Sequence, residues 1–224
     1  MPALDARQPA NIALLQRFLA RADGPPVEYR ALRHLEARND HFHASASMEA
    51  WTEFDQTRGF HFQIVSETGS PYIRKHVLLA ALEGEQRLWA SREPQRASFN
   101  TDNYSFEHGG STADGLEWLE VKPKRKDVLL VDGSIFVQPA DGELTRIEGR
   151  LSKAPSIWTR RVEIVRRYQR VGGVRVPIAV ESVAHILIAG RSTFLMTYEY
   201  EVVNGQHVGD PLPHHPPQAE TVAH

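Results

Sequence analysis

Apolar and polar residues alternate with a period of two over most of this chain, and a helical period replaces that alternation in two places. The first is residues 11–21, where Ile12, Leu15 and Leu19 share one stripe with Leu14 and Phe18 beside it. That pattern predicts an amphipathic, core-facing helix, N-capped by Asn11 and ended by Gly24-Pro25-Pro26. The second begins at Ser70-Pro71, a capping residue followed by a proline at the first helical position. There Ile73, Val77 and Ala81 form one stripe and Leu78, Leu82 and Trp89 its neighbour, so this helix is expected to be largely buried across the concave face of a sheet. Gly84 costs it about 1 kcal/mol relative to alanine.

Between the helices three strands are expected. Val27, Tyr29, Ala31 and Leu35 alternate with Glu28, Arg30, His34 and Glu36. Phe42, Ala44, Ala46, Met48 and Ala50 oppose His41, His43, Ser45, Ser47 and Glu49. Phe60, Phe62 and Ile64 oppose His61 and Gln63. Strands of this length favour a broad, curved sheet.

After the second helix, residues 94–115 read as a long polar connection containing Gly109-Gly110, either a lid or a mobile loop. Strands resume at Leu116 to Val121 and, past the basic turn at residues 123–127, at Val128 to Val131. The stretch Val131 to Trp158 reads as a meander in which Asp132-Gly133 and Asp141-Gly142 supply two tight reversals. Three further alternating segments follow: Trp158, Val162, Ile164 and Tyr168; then Val174, Val176, Ile178 and Val180 running towards Ile188; then Phe194, Met196, Tyr198, Tyr200 and Val202. The second of them keeps its phase with or without a bulge. The expected fold is α+β, an antiparallel sheet of about ten or eleven strands with two helices, in a single domain over residues 1–209. Residues 210–224, rich in proline and histidine, read as a disordered tail.

Composition narrows the function classes. A formal net charge of -2 gives no reason to expect nucleic acid or an anionic membrane surface as the main partner. The absence of cysteine excludes disulfides, thiolate catalysis and cysteine metal sites. No apolar run reaches the roughly 20 residues of a membrane span. The first residues have neither a basic region nor an apolar one, as expected of a cytoplasmic protein or of a chain whose leader has been removed.

Candidate chemistry is sparse. His41 and His43, two apart on an expected strand, point to one face and could share a metal, or simply line the solvated surface. His214-His215 lies in the tail, where nothing holds ligands in geometry. Gly109-Gly110-Ser111-Thr112 has the residue types of a phosphate cradle but lacks the lysine and apolar helix of one. Glu117 and Glu120 with Lys122, Lys124 and Arg125 read as a solvated strand edge. Arg160, Arg161, Arg166, Arg167 and Arg170 form a denser basic set, either a patch for an acidic partner or lipid headgroup or a solvated outer face. No cofactor and no catalytic constellation is indicated.

The inward positions carry the most information. Phe42, Met48, Phe60, Phe62 and Ile64 from the early strands face Val162, Ile164, Met196 and Tyr198 from the late ones. An interior so apolar is either filled by the second helix or holds an apolar ligand.

The order of elements now resembles a known family. A helix, three long strands and the Gly69-Ser70-Pro71 helix precede a meander with Asp132-Gly133-Ser134-Ile135-Phe136-Val137 and Arg146-Ile147-Glu148-Gly149. Lys153-Ala154-Pro155-Ser156-Ile157-Trp158, an Arg-rich strand, Val176-Pro177, Gly190-Arg191-Ser192 and a Tyr-rich strand follow. Over about residues 10 to 205 this is similar to the outer-membrane lipoprotein-sorting (LolA-like) family. The resemblance implies an unclosed half-barrel with helices as a lid over an apolar cavity, acting without catalysis in the periplasm on acyl chains of lipoproteins or lipids. It also implies a leader absent from this sequence. Half-barrels of this kind serve as lipid transporters, acceptors or stress sensors. Two alternatives stand beside a carrier. One is an envelope scaffold or sensor with a filled core, binding a protein partner through a sheet edge or the Arg-rich strand 160–170. The other is a hydrolase or metal enzyme built on His41, His43 and distant carboxylates.

Overall fold

The computed structural model describes residues 7–21, 24–91 and 94–213. Helix α1 (Arg7–Ala20) leads into β1 (Glu28–Asn39), β2 (Ala44–Asp55) and β3 (Gly59–Gly69). A helix over residues 71–90 and a short 3-10 turn (Pro94–Ala97) follow. The chain then runs through β4 (Tyr104–Ser111), β5 (Glu117–Pro123), β6 (Val131–Val137), β7 (Leu144–Leu151), β8 (Thr159–Val171), β9 (Val174–Ile186), β10 (Gly190–Val203) and the two-residue β11 (Gln206–His207). All eleven strands belong to one antiparallel sheet, in the order β3-β2-β1-β10-β9-β8-β7-β6-β5-β4, with β11 on β10. Because β3 and β4 stand at opposite ends without pairing, the sheet is open, as the half-barrel expectation requires.

The two helices cover the inner face from opposite ends. In α1, Leu14 and Phe18 are buried, and Phe18 meets Phe106 of β4 at 6.0 Å between ring centroids. The turn before β7 comes so close to the helix that a Cβ on Gly142 (φ 73°) would lie 2.7 Å from the Phe18 nitrogen. Arg21 pairs with Asp141 at 2.7 Å and with Glu143, fixing the helix end to that turn. Ile12, expected on the apolar stripe, is exposed, and the helix begins before Asn11, which therefore does not cap it.

The 71–90 helix starts as expected: the Ile73 N–H donates to the Ser70 hydroxyl at 3.5 Å and Pro71 stands at the first position. Ser70→Ala is expected to lower the unfolding free energy by about 1 kcal/mol in a urea titration. Residues Arg74–Leu79 form a π-type stretch, and the wider turn brings Ile73 and Leu78, five apart, onto the buried face continued by Leu82. This helix packs on β1, β2 and β3. Side chains from both helices and both halves of the sheet join in one buried cluster.

Several expectations change. The strand expected from His41 begins at Ala44, and residues 40–43 form a turn. Residues 128–130 are not a strand. The connection expected over residues 94–115 contains the edge strand β4, because Gly109 lies under the Trp118 indole: a Cβ there would come within 2.0 Å of the ring. Asp132-Gly133 is no reversal but lies within β6, opposite Gly149. Asp141-Gly142 does sit in a turn, with the Gly142 N–H donating to the Gln138 carbonyl. A bulge is present in β9 at Ile178, which is skipped between the pairs Arg167–Ala179 and Tyr168–Pro177. A second bulge skips Glu201, so Val203 rather than Val202 is buried opposite Tyr29. The tail beyond residue 213, with His214-His215, lies outside the described residues.

Candidate functional site

Of the residues expected to line the interior, Met48, Phe60, Val162, Ile164 and Met196 are buried, while Phe62, Ile64 and Tyr198 are half-buried. Their strands bring them to one face: Met48 stands opposite Leu35, Leu35 opposite Met196, and Met196 opposite Val180. Phe42 is not among them. It lies in the turn between β1 and β2, 60% exposed, with its N–H bound to the Asn39 side chain. The same turn removes His41 and His43 from a common strand face, and no cluster of three potential metal ligands occurs among the described residues.

The inner face is not wholly apolar. Alternation along β1 places Arg33 between Ala31 and Leu35, so its side chain enters the core, where it is 1% exposed. Glu85, on the helix above, meets it in a two-pronged pair of 2.6 and 3.0 Å. Arg33 Nε donates to the Thr52 hydroxyl at 3.0 Å, and Nη2 donates to Tyr29 Oη at 2.8 Å. The guanidinium also lies 4.6 Å from the Tyr198 ring centroid and 5.0 Å from that of Phe60. Nη1 also donates to the Met196 sulfur at 3.8 Å, so all five N–H groups of the buried cation have a carboxylate, a hydroxyl or a sulfur as partner.

Alternation along β8 does the same for Arg166, between Ile164 and Tyr168. It interacts with Tyr168, Tyr198 and Glu85, while its Nε is buried with no hydrogen-bond partner among the described residues. Burial pushes the Glu85 carboxyl up, but the Arg33 charge, hydrogen bonds from Arg33 and Trp89, and the Arg166 charge outweigh it and hold the group below its ordinary range. Burial pushes the Tyr198 hydroxyl up to about 12 and the Tyr29 hydroxyl higher still, so both remain neutral donors. The arrangement offers no nucleophile beside a base. It is an ionic clasp between sheet and helix, set in apolar surroundings.

Arg161 and Arg167 lie on the solvated side of β8, while Arg160 and Arg170 share the phase of Arg166 at the two ends of the strand. Arg161 pairs with Glu163, Arg167 with Glu181 and Arg170 with Glu143, so most of the basic set is neutralised in place. Glu117 is likewise engaged, accepting from Ser111 at 2.7 Å and meeting His108 at 2.8 Å.

Sequence reasoning missed the clasp, although a signal was present. Arg33 is a single charge in the phase of an otherwise apolar run and Arg166 stands between Ile164 and Tyr168 in another, and such a charge must find a partner in the core. The partner's address, on a helix some fifty residues away, is not in the pattern.

No protein-family model matches the sequence, and no curated protein matches it. Three solved structures are similar in fold. A DUF1329 family protein from Desulfovibrio piger is 10% identical, with a TM-score of 0.41 over 90% of this chain and 95% of its own. A LolA superfamily protein from Nitrosomonas europaea is 11% identical, with a TM-score of 0.40 over 91% and 94%. An outer membrane lipoprotein-sorting protein domain from Vibrio parahaemolyticus is 13% identical, with a TM-score of 0.43 over 86% and 93%. At these values nothing about cargo or activity passes from them to this chain. Among the described residues no helix is long and apolar enough to cross a membrane.

Proposed function

We propose that this protein is a non-enzymatic binding or carrier protein of the cell envelope, acting in the periplasm, that holds acyl chains of lipoproteins or lipids between the sheet and the 71–90 helix. The observation that carries this reading is the Arg33–Glu85 pair, a charged clasp between a helix and an otherwise apolar sheet face. Arg33 is buried and the Glu85 side chain is 26% exposed; an ion pair so placed often adds no more stability than an apolar pair of the same volume, and its retention fits a contact that must open as well as close. With the helix displaced, Leu35, Met48, Phe60 and Met196 present a continuous surface of adaptable side chains to a flexible chain. Arg166, through its unpartnered Nε, is placed to receive the ester or phosphate of an amphiphile.

The test is lipid extracted from the purified full-length chain and identified by mass spectrometry, with displacement of a fluorescent fatty acid as the affinity measurement. Wild-type protein is expected to carry lipid and to bind the probe. Phe62→Asp, at a half-buried position, is expected to lose the probe while keeping its circular dichroism spectrum. Wild-type protein that carries no lipid and binds no probe removes the reading.

A further inference from the structure

One end of the sheet is unlike the other. The C-terminal ends of β1, β3 and β9 and the N-terminal ends of β2, β8 and β10 meet there, as the pairs Asn39–Ser192, Ala46–Gly69 and Thr159–Ile186 show. The loops at this end carry six of the twelve large apolar side chains left exposed among the described residues. Ile157 is 86% exposed, Ile188 72% and Tyr72 70%, with Trp158, Leu187 and Phe42 also exposed. They are held together: the Leu187 N–H donates to the Trp158 carbonyl at 2.9 Å, and Asn39 Nδ2 donates to the Ala189 carbonyl at 2.8 Å. Ser70, two residues before Tyr72, is bound to the Ser45 carbonyl at 2.8 Å. Six exposed apolar side chains on four linked segments form a rim, not scattered surface residues.

The charge of this rim departs from that of the chain. Residues 38–45, 67–76, 153–161 and 185–192 contain seven lysines and arginines against two acidic residues, whereas the whole chain has 26 against 28. Lys75, Lys153 and Arg160 are exposed and form no ion pair with any described residue, in contrast to Arg161 and Arg167 close by. Exposed Trp, Tyr and Ile beside unpaired cations are the residue types of a surface that settles into the headgroup layer of a bilayer, the rings and aliphatic chains below and the cations among the phosphates. A protein interface is depleted in lysine, whereas Lys75 and Lys153 stand exposed in this rim. We infer that this rim docks on an anionic phospholipid surface, through Ile157, Trp158 and Ile188 as the inserted side chains and Lys153, Arg160 and Lys75 as the headgroup contacts. The inference does not require the interior to bind a chain.

The experiment is flotation of the full-length protein with vesicles of phosphatidylcholine alone and of phosphatidylcholine with about one third phosphatidylglycerol. Wild-type protein is expected to float with the anionic vesicles, with a blue shift of tryptophan emission that a Trp158→Phe variant lacks. Lys153→Ser with Arg160→Ser is expected to weaken that binding by about ten-fold or more at low salt. Ile157→Ser with Trp158→Ser, both at exposed positions, is expected to abolish it while fatty-acid binding and circular dichroism stay as in the wild type. Wild-type protein that floats with neither vesicle overturns the inference, as does an Ile157→Ser/Trp158→Ser variant that floats normally. A lipid-free dimer dissociated by the same substitutions overturns it too, because the rim would then belong to a second copy of the chain.

Discussion

Exchange of Arg33 for methionine is expected to lower the unfolding free energy by about 3 kcal/mol, and the further exchange of Glu85 for leucine to restore most of the loss. The asymmetry follows from burial. Alone, Arg33→Met leaves the Glu85 carboxylate with its two-pronged partner gone and removes the donor that Thr52 Oγ1 and Tyr29 Oη share, leaving the one to its bond with the Ala31 carbonyl and the other to its bond with Glu85. The double substitution removes both charges and fills the space with apolar atoms. The pH dependence carries the same signature. In the wild type the Glu85 carboxyl is held below its ordinary range, so its contribution is complete above about pH 4.3 and is lost as the pH falls through the lower folded value. In Arg33→Met, burial acts without its main counterweight and raises that carboxyl, so acidification towards about pH 4 neutralises a strained charge. The stability gap between wild type and variant is therefore expected to narrow as the pH falls. Urea titrations at several pH values measure this, and a gap that stays constant would falsify the assignment of Glu85 as the stranded charge.

Gly133→Asn separates two readings of one dipeptide. If Asp132-Gly133 formed a hairpin turn, asparagine would be tolerated, since it shares glycine's access to positive φ. In the structure Gly133 lies in β6 against Gly149 of β7, and a Cβ on it would fall 2.1 Å from the Glu148 carbonyl oxygen and 2.5 Å from the Gly149 Cα. Both obstacles are backbone and cannot rotate away. Asparagine is therefore expected to cost about 3 kcal/mol, the upper part of the range for overpacking, or to prevent folding. The control is Asp132→Ala, which removes only the partly exposed pair with Arg150 at 2.8 Å and is expected to cost less than about 1 kcal/mol.

These two sites show where the sequence was legible. Period-two alternation marks β1, β3, β8, β9 and β10 because each buries one face and wets the other, and the helix at Ser70-Pro71 is marked by its capping chemistry. Strand β4 was hidden because its two glycines, read locally, signal a loop. Only the Trp118 ring from the neighbouring strand explains why a side chain is excluded. Asp132-Gly133 misled for the same reason: close backbone approach between strands and a tight turn both select glycine, and only pairing distinguishes them. Phe42 followed the alternation of β2 one step beyond the strand. Of the candidate site, the apolar floor was readable from phase. The clasp was not, because a helix–sheet contact over about fifty residues leaves no periodic trace in either element.

The place of β10 between β1 and β9 sets a condition on how the protein is made. Tyr29 pairs with Val203 and Leu35 with Met196, so the first strand of the sheet acquires its second neighbour from the last long strand of the chain. During synthesis the β1-β2-β3 unit leaves the ribosome with an unpaired edge and an unfinished core, and it waits in that state while the rest of the chain is translated. A topology whose closing contact joins the two ends of the sequence folds slowly and late. A chain truncated before β10 is therefore expected to leave β1 with an open edge, a template for pairing with another chain.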